Sequence, residues 1–228
     1  MKILMIRHGE PNYEKDCLTE RGRQEAALLA DRIEKLDIDS FYVSPMGRAR
    51  ETAQFTLERL GRQAQVCDWL HEFNEAVMDG DEPRVTWDML PKYWTKHDEY
   101  YSKLTCCDTK EMAEAEMSAK TQAVYDGLDS LLASHGLVRE GRAYRVTGDH
   151  DKTIAMYCHF GITCLMISHL IGISPLLAWQ GFSADPTAIA TLCTDDRFGD
   201  YVSFRVHGFG DTHHLQGFSQ SQGKVNYQ

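Results

Sequence analysis

Short apolar runs along the chain alternate with segments whose apolar residues recur every three or four positions. The run Lys2–Ile6 predicts a buried parallel strand, because a strand covered on both faces is apolar almost throughout. Thr19 is expected to cap the helix that follows, since its hydroxyl can accept a free backbone N–H. The apolar face of this helix consists of Ala26, Leu29, Ile33 and Leu36.

The same order of strand and helix recurs later in the chain. Ser40–Ser44 predicts a second strand, and the helix after it is expected to open near Pro45 and to end at Gly61. Ile162–Ile171 predicts an apolar helix that stops at Gly172. Further strands are expected at Gln65–Asp68, Thr153–Cys158, Ala188–Cys193 and Tyr201–His207, and a further helix around Met117, Val124, Leu128 and Leu131. This alternation predicts an α/β layer fold.

The stretch from about Asn74 to Asp108 departs from this pattern. It is rich in aromatic and acidic residues and has no strand period. We therefore interpret residues 74–108 as a helical cap inserted into one domain that spans residues 1–228. The polar residues 219–228 are expected to form a flexible tail.

Length and composition limit the class of protein. The chain has 228 residues, of which 43% are apolar and 25% charged, which excludes collagen-like and disordered classes. No apolar run reaches the length of about 20 residues that spans a bilayer. The apolar stretch before Arg7 is too short for the core of a signal peptide, so we expect a soluble, cytoplasmic protein. The 7 cysteines include no C-x-x-C pair, and we expect free thiols.

The formal net charge of -10 disfavours two classes of partner. Nucleic-acid binders usually carry a basic surface, and the sequence has no run of Lys and Arg that would supply one. An acidic protein is also repelled by anionic lipid surfaces. We expect no nucleic-acid partner and no membrane partner.

The tetrapeptide Arg7-His8-Gly9-Glu10 directly follows the first predicted strand. Ligands of open α/β sheets bind beyond the carboxyl ends of the strands, so His8 is placed where chemistry is usually done. An imidazole there can be a general base, a metal ligand or a nucleophile. Arg7 weighs against a metal, because a guanidinium repels a cation and pairs well with phosphate. A structural histidine beside a surface ion pair is the alternative interpretation of the tetrapeptide alone.

Two later segments repeat the arrangement of a strand end followed by a helix start. Arg48 falls in the first turn of the helix after the second strand, where the helix N-terminus already favours anions. His159 follows the strand Thr153–Cys158 and precedes another helix. If these strands are neighbours in the sheet, two histidines and two arginines converge in one pocket.

These segments together resemble the histidine phosphatase superfamily, the clan of phosphoglycerate mutases and related phosphatases. The resemblance covers most of the chain and lies in the order and strand placement of the motifs. They are Arg7-His8-Gly9-Glu10, Leu18-Thr19 with Gly22, Ser44-Pro45 with Arg48-Ala49 and Thr52-Ala53, His159-x-Gly161 and, more weakly, Asp211-Thr212-His213-His214-Leu215. The implied fold is a three-layer α/β/α sandwich with a mostly parallel sheet and an inserted helical cap.

The resemblance implies a role for each matching residue. His8 is the expected nucleophile, which becomes phosphohistidine. Arg7, Arg48 and His159 are expected to hold the transferring phosphoryl group, with His159 also counted among the catalytic residues. Because cationic side chains can neutralise the phosphoryl oxygens, we expect neither a metal ion nor another cofactor. The expected substrate is a small-molecule phosphate ester.

The reaction also needs a general acid that protonates the leaving oxygen and later deprotonates water. Many phosphatases of the family use a Glu in an L-x-E segment after the third strand. Leu70-His71-Glu72 matches that segment, so Glu72 is the candidate. Asp81 or Glu82 is the alternative.

The chain departs from the family pattern just after the first motif. Pro11 stands where many members have Thr, and proline offers neither a side-chain nor a backbone donor. Asn12 is the candidate replacement for that phosphate-side contact. The basic and tryptophan-containing segments associated with phosphoglycerate mutases are not evident, which favours hydrolysis. A phosphomutase and a non-catalytic phosphate-ligand sensor are the alternatives, and retention of His8 argues against the sensor.

Residues 74–108 carry eight acidic side chains against four basic ones. The acids are Glu75, Asp79, Asp81, Glu82, Asp88, Asp98, Glu99 and Asp108, and the bases are Arg84, Lys92, Lys96 and Lys103. This balance predicts a preference for small monophosphates over bisphosphates and phosphorylated proteins, unless the bases alone face the pocket. The aromatic residues from Trp87 to Tyr101 are either the core of the cap or a platform for the substrate.

Overall fold

Strands and helices alternate along the chain in the order that the apolar pattern predicts. The computed structural model describes residues 1–197 and 199–218. Its strands are β1 (Lys2–Arg7), β2 (Pro11–Asn12), β3 (Cys17–Leu18), β4 (Ser40–Val43), β5 (Gln65–Val66), β6 (Ala76–Asp79), β7 (Glu82–Val85), β8 (Leu137–Glu140), β9 (Ala143–Val146), β10 (Thr153–Cys158), β11 (Ile189–Asp195) and β12 (Tyr201–Asp211). Its α-helices are α1 (Glu20–Ile33), α2 (Gly47–Leu60), α3 (Pro91–Trp94), α4 (Lys110–Glu114), α5 (Met117–Ser134), α6 (Phe160–Ile171) and α7 (Pro175–Gly181).

Within the described residues, eight strands form the main sheet in the order β5-β4-β10-β1-β11-β12-β9-β8. The pairs β5–β4, β4–β10 and β10–β1 are parallel. The remaining neighbours pair antiparallel, so that only β11 and β9 run against the direction of β1. The expected mostly parallel sheet is confirmed in the sense that six of its eight strands point the same way.

Helices cover both faces of this sheet. Leu4 and Ile6 of β1 are buried in one apolar cluster with side chains of α1 and α2. Ile3 and Met5, which point to the opposite face, belong to the other cluster, with side chains of α5, α6 and α7. The predicted three-layer α/β/α architecture is therefore confirmed. No helix among residues 1–197 and 199–218 is long and apolar enough to cross a bilayer.

The helix ends follow their capping residues. Thr19 accepts the N–H of Gly22 at 3.0 Å, and Gly61 and Gly172 end their helices with φ of 60° and 75°. The expected extension of α1 to Leu36 is wrong. The N–H of Leu36 bonds to the carbonyl of Ile33, and such short bonds tighten and close a last turn.

The segment 74–108 (hereafter the insertion) is only partly helical. It opens with the hairpin β6–β7, which the sequence pattern did not predict, and continues through the short helix α3 and two 3₁₀ turns. A second unpredicted hairpin, β8–β9, completes the antiparallel edge of the main sheet. The extent of a single domain over 1–228 stays a prediction, and the expected tail 219–228 lies outside the described residues.

Candidate active site

Three neighbouring parallel strands bring the predicted residues together. His8 follows β1, Ser44 follows β4, and His159 follows β10, which lies between β4 and β1. Because parallel strands end on the same edge of a sheet, the imidazoles of His8 and His159 meet there, with 5.1 Å between the ring centroids. The two histidines converge as expected, because the strands that precede them, β1 and β10, are neighbours in the sheet.

His8 is a buried, neutral imidazole of fixed tautomer. Its side chain is 1% exposed, and Nδ1–H donates to the carbonyl of Gly9 at 2.7 Å, since a carbonyl can only accept. Burial, together with the positive charges of Arg7 and Arg48, lowers the pKa of His8 to about 3. Near neutral pH, Nε2 therefore carries a free lone pair.

His159 is the N-cap residue of α6 and is fully buried. Its Nε2 is hydrogen-bonded to Ser44 Oγ at 2.8 Å, and Ser44 Oγ also accepts the N–H of Met46 at 3.3 Å. Burial and the nearby charges of the site hold the pKa of His159 far below its usual range. Nδ1 of His159 is buried without a hydrogen-bond partner among the described residues, and this leaves it as a polar atom for a ligand.

Arg48 lies in the first turn of α2, as predicted, and is 5% exposed. Nη1 donates to Asp16 Oδ1 at 2.6 Å, and Nη2 lies 3.5 Å from the sulfur of Met46. The ring of Tyr13 stacks over the guanidinium at 5.5 Å. The cation is thus held between an acid, a thioether and an aromatic ring.

Arg7 is the last residue of β1 and directly precedes His8. Its backbone N–H donates to the carbonyl of Ala188, and Nη1 of its guanidinium donates to the carbonyl of Ala184. The guanidinium lies 5.9 Å from the centre of the Phe160 ring. The contact with Ala184 occupies Nη1, and Nε is buried without a hydrogen-bond partner among the described residues.

Glu72 meets the first turn of α6. Its Oε1 accepts the N–H groups of Phe73 at 2.8 Å and of Ile162 at 3.1 Å. The approach requires Gly161, because a methyl group there would lie 2.9 Å from Oε1. Burial raises the pKa of Glu72, although these hydrogen bonds and Arg7 act in the opposite direction. The raised pKa favours the protonated form of this carboxyl group.

The other predicted residues lie elsewhere. Asp81 and Glu82 are exposed at the turn of the β6–β7 hairpin, and Glu82 pairs with Arg84 at 3.7 Å. The side-chain oxygen of Asn12 accepts the N–H of Lys15 at 3.2 Å and so closes a local turn. These placements favour Glu72 as the acid and assign the oxygen of Asn12 to the turn.

The sequence reasoning missed three residues that hold the site. Ser44 orients His159, and Asp16 binds Arg48. Thr52 Oγ1 accepts the N–H of Gly9 at 3.0 Å and donates to the carbonyl of Arg48, which ties the His8 turn to α2. Ser44 and Thr52 lie in the motif Ser44-Pro45 with Arg48-Ala49 and Thr52-Ala53, which could have marked them as site residues. The sequence around Asp16 gives no sign that it binds Arg48.

The aromatic residues of the insertion divide between the two predicted roles. Tyr100 is 1% exposed and is part of the core. Trp87 lies beside the site, where its Nε1–H donates to Phe73 at 3.0 Å and its ring meets Phe160 edge-on at 6.3 Å. Among the described residues, no three His, Cys, Asp or Glu side chains are arranged to hold a metal ion. The arrangement combines a neutral imidazole, two cations and a carboxyl group with a raised pKa, a set of groups that is suited to phosphoryl transfer.

Known proteins resemble the chain in sequence and in fold. A probable phosphatase of Schizosaccharomyces pombe is 24% identical over 242 residues, 99% of both chains. A 2,3-bisphosphoglycerate-dependent phosphoglycerate mutase of Thermoplasma acidophilum is 34% identical over 73 residues, 27% of this chain and 36% of the mutase. The crystal structure of phosphoserine phosphatase from Entamoeba histolytica in complex with 3-phosphoglyceric acid matches with a TM-score of 0.60 and 23% identity, over 94% of this chain and 98% of that one. That likeness shows the fold.

A family model covers most of the chain. The model of the histidine phosphatase superfamily (branch 1) matches residues 3–206, a range that contains the three strand ends and Glu72. The chain belongs to the histidine phosphatase superfamily.

Proposed function

We propose that this protein is a phosphatase that hydrolyses small phosphate monoesters through a phosphohistidine on His8, without a metal ion. The observation that carries the proposal is the state of His8. Its Nδ1 proton is committed to Gly9, its ring is neutral, and Arg7 and Arg48 flank it with positive charge. A neutral imidazole between two cations can attack a phosphoryl group and needs no base to activate it.

The first half of the reaction forms the phosphoenzyme. Nε2 of His8 attacks phosphorus while the bond from phosphorus to the ester oxygen breaks. Glu72 gives its proton to that oxygen, and the alcohol leaves. Arg7 and Arg48 neutralise the phosphoryl oxygens, and Nδ1–H of His159 donates a hydrogen bond to one of them. The hydroxyl of Ser44 supports this tautomer of His159, because it accepts from Met46 and can donate its own hydrogen to Nε2.

The second half regenerates the enzyme. Water attacks phosphorus, Glu72 takes a proton from that water, and the bond from phosphorus to Nε2 of His8 breaks. Orthophosphate leaves, and His8 returns to the neutral tautomer that Gly9 selects. Both halves use the same carboxyl group. Glu72 loses its proton to the leaving alcohol and regains one from water, so the cycle restores its acid form.

The contacts of the basic residues in the insertion support monophosphates as the substrate class. Arg84 lies within 3.7 Å of carboxylate oxygens of Asp79, Glu82 and Asp88. The ammonium group of Lys103 contacts the carbonyl of His169, in the last turn of α6, whereas the candidate site lies at the first turn. Lys92 and Lys96 lie over the ring of Tyr93, at 4.6 and 6.0 Å. Each of the four bases thus has a partner within the protein and is not committed to a second phosphate of the substrate.

A phosphomutase is the second candidate, because relatives named phosphoglycerate mutase match parts of the chain. The two functions share the phosphoenzyme and differ in its acceptor. Labelled phosphoenzyme offered 3-phosphoglycerate releases orthophosphate if the acceptor is water. Transfer of the label to the added phosphoglycerate would identify a mutase.

The proposal is tested with a panel of phosphate monoesters, assayed with and without EDTA. We expect orthophosphate release at a rate that EDTA leaves unchanged. A quenched reaction should contain phosphoenzyme that survives base and is lost in acid, as expected for a phosphoramidate on histidine. Activity that EDTA removes and one divalent ion restores would refute the metal-free mechanism, and an acid-stable phosphoenzyme would move the nucleophile away from His8.

A further inference from the structure

Asp16 binds the first turn of α2 with both carboxylate oxygens. Oδ2 accepts the N–H of Gly47 at 2.6 Å, and Oδ1 accepts Nη1 of Arg48 at 2.6 Å. The side chain of Arg48 is 6% exposed and that of Asp16 is 42% exposed. The carboxylate therefore holds Nη1 of a buried guanidinium, together with the backbone of its helix turn, from the solvent side.

The backbone around both residues is adapted to this contact. Asp16 has a φ of 46°, in the left-handed region that non-glycine residues rarely adopt. Gly47 approaches so closely that a methyl group on it would lie 2.1 Å from the carbonyl oxygen of Asp16. Strained backbone of this kind persists where surrounding contacts hold it, and such residues cluster at functional sites.

The contact lies within electrostatic reach of His8. Arg48 lowers the pKa of His8, and Asp16 raises it by a smaller amount. Asp16 itself stays ionised, because the hydrogen bonds from Gly47 and Arg48 outweigh its partial burial and lower its pKa. The sulfur of Met46 and the ring of Tyr13 also contact Arg48, but a thioether and an aromatic face fix the direction of its N–H groups less than a carboxylate does.

We propose that Asp16 is a positioning residue, whose carboxylate orients Arg48 so that the free edge of its guanidinium neutralises the phosphoryl group at His8. The inference rests on the proposed function in so far as Arg48 binds that group. One carboxylate oxygen binds the guanidinium and the other binds the backbone of the same helix turn, so the contact sets the direction of Arg48 as well as attracting it. Asp16 therefore acts on the transition state through Arg48 and does not touch the substrate.

The test is a double-mutant cycle that joins Asp16→Asn and Arg48→Ala. Asparagine is chosen because it tolerates the left-handed backbone and keeps one oxygen. In the protein with Arg48, Asp16→Asn should lower kcat about 10- to 100-fold and weaken binding of orthovanadate by a similar factor, since small misplacements of catalytic groups cost this much. In the Arg48→Ala protein, the same change should alter both quantities by less than about twofold.

The matched control lies at the other end of the same helix. Asp31 of α1 pairs with Arg59, which lies in the last turn of α2. The side chains of Asp31 and Arg59 are 52% and 36% exposed, more than those of Asp16 and Arg48. Asp31→Asn should leave kcat and orthovanadate binding unchanged. Thermal melting is recorded for every variant. If Asp16→Asn does not fold, Asp16→Glu displaces the charge by one methylene and takes its place in the cycle.

Three outcomes would overturn the inference. Equal losses in both backgrounds would mean that Asp16 acts independently of Arg48. A lower melting temperature with unchanged kcat would mean that Asp16 only stabilises the fold. Tighter orthovanadate binding by Asp16→Asn would mean that the carboxylate competes with the phosphoryl group. Since orthovanadate binding needs no turnover, the cycle is decided even for a protein that binds the anion and hydrolyses nothing, which is the result that would refute the proposed function.

Discussion

The parallel strand ends and the insertion lie next to each other and are built in opposite ways. His8, Arg48 and His159 are each no more than 5% exposed, and they lie directly after a strand of the core or in the first turn of a core helix. The insertion consists of a hairpin and short helical turns, and many of its acids are exposed. The strand ends hold their side chains in fixed positions, whereas the surface of the insertion can vary without disturbing the core. We therefore expect the chemistry to depend on the strand ends and the choice of substrate to depend on the insertion.

Glu72 lies at the boundary between the parallel strand ends and the insertion. It precedes the hairpin β6–β7 along the chain, yet its Oε1 is fixed by the first turn of α6 through Ile162. Trp87 of the insertion reaches back to the same place, because it donates to the carbonyl of Phe73. A change in the insertion can thus reach Glu72, the proposed acid, without altering His8, the proposed nucleophile.

Replacing His8 is expected to have the largest effect. His8→Ala removes the atom that forms the bond to phosphorus, so kcat should fall at least about 1,000-fold, as for other covalent nucleophiles. The measurement is orthophosphate release under saturating substrate, together with phosphoenzyme trapping. His135→Ala is the matched control, since His135 is also buried and bonds to Tyr42 away from the site at 2.6 Å. A His8→Ala protein as active as the His135→Ala protein would exclude His8 as the nucleophile.

Glu72→Gln should follow in size and should depend on the leaving group. An alkyl ester needs a proton on its leaving oxygen, and loss of a general acid costs about 100- to 10,000-fold. p-Nitrophenyl phosphate barely needs that proton and should lose much less in the step that forms the phosphoenzyme. Burst kinetics on both esters separate that step from hydrolysis. Equal losses in it would remove Glu72 from the role of acid, and losses in Asp81→Asn or Glu82→Gln instead would transfer the role to the hairpin turn.

The same contrast explains how far the sequence could predict the structure. His8, Arg48 and His159 could be placed together because each follows an apolar strand, and strand ends of a parallel sheet share an edge. Asp16 could not be paired with Arg48, since the contact depends on a left-handed turn that leaves no periodic signal. The insertion was harder still. Its hairpin β6–β7 contains Pro83 and charged residues, so no alternation of apolar and polar positions marks it.

The pH dependence should reflect both regions at once. Because burial and the two arginines lower the pKa of His8 to about 3, the nucleophile stays neutral well below pH 6.5, and kcat/KM should show no acid limb near that value. Because burial raises the pKa of Glu72, its acid form persists above the usual carboxyl range. As pH rises through that pKa, kcat/KM for alkyl esters should fall by up to about tenfold per pH unit. An acid limb near pH 6.5 that persists in Glu72→Gln would contradict the neutral state of His8.

The smallest expected effect concerns the insertion and its choice of substrate. Arg84 and Lys103 already have partners within the protein, whereas Lys92 and Lys96 lie over Tyr93 on exposed positions of α3 and the turn after it. With a surplus of acids around it, the site should favour a sugar monophosphate over the matched bisphosphate by about tenfold in kcat/KM, since one like-charge contact near a solvated surface costs on the order of 1 kcal/mol. The variant Lys92→Met with Lys96→Met should leave this ratio unchanged if both ammonium groups stay at Tyr93. A preference for the bisphosphate that the double variant abolishes would show that these two lysines face the substrate, and the insertion would then recruit the second phosphate where its acidic surface predicts repulsion.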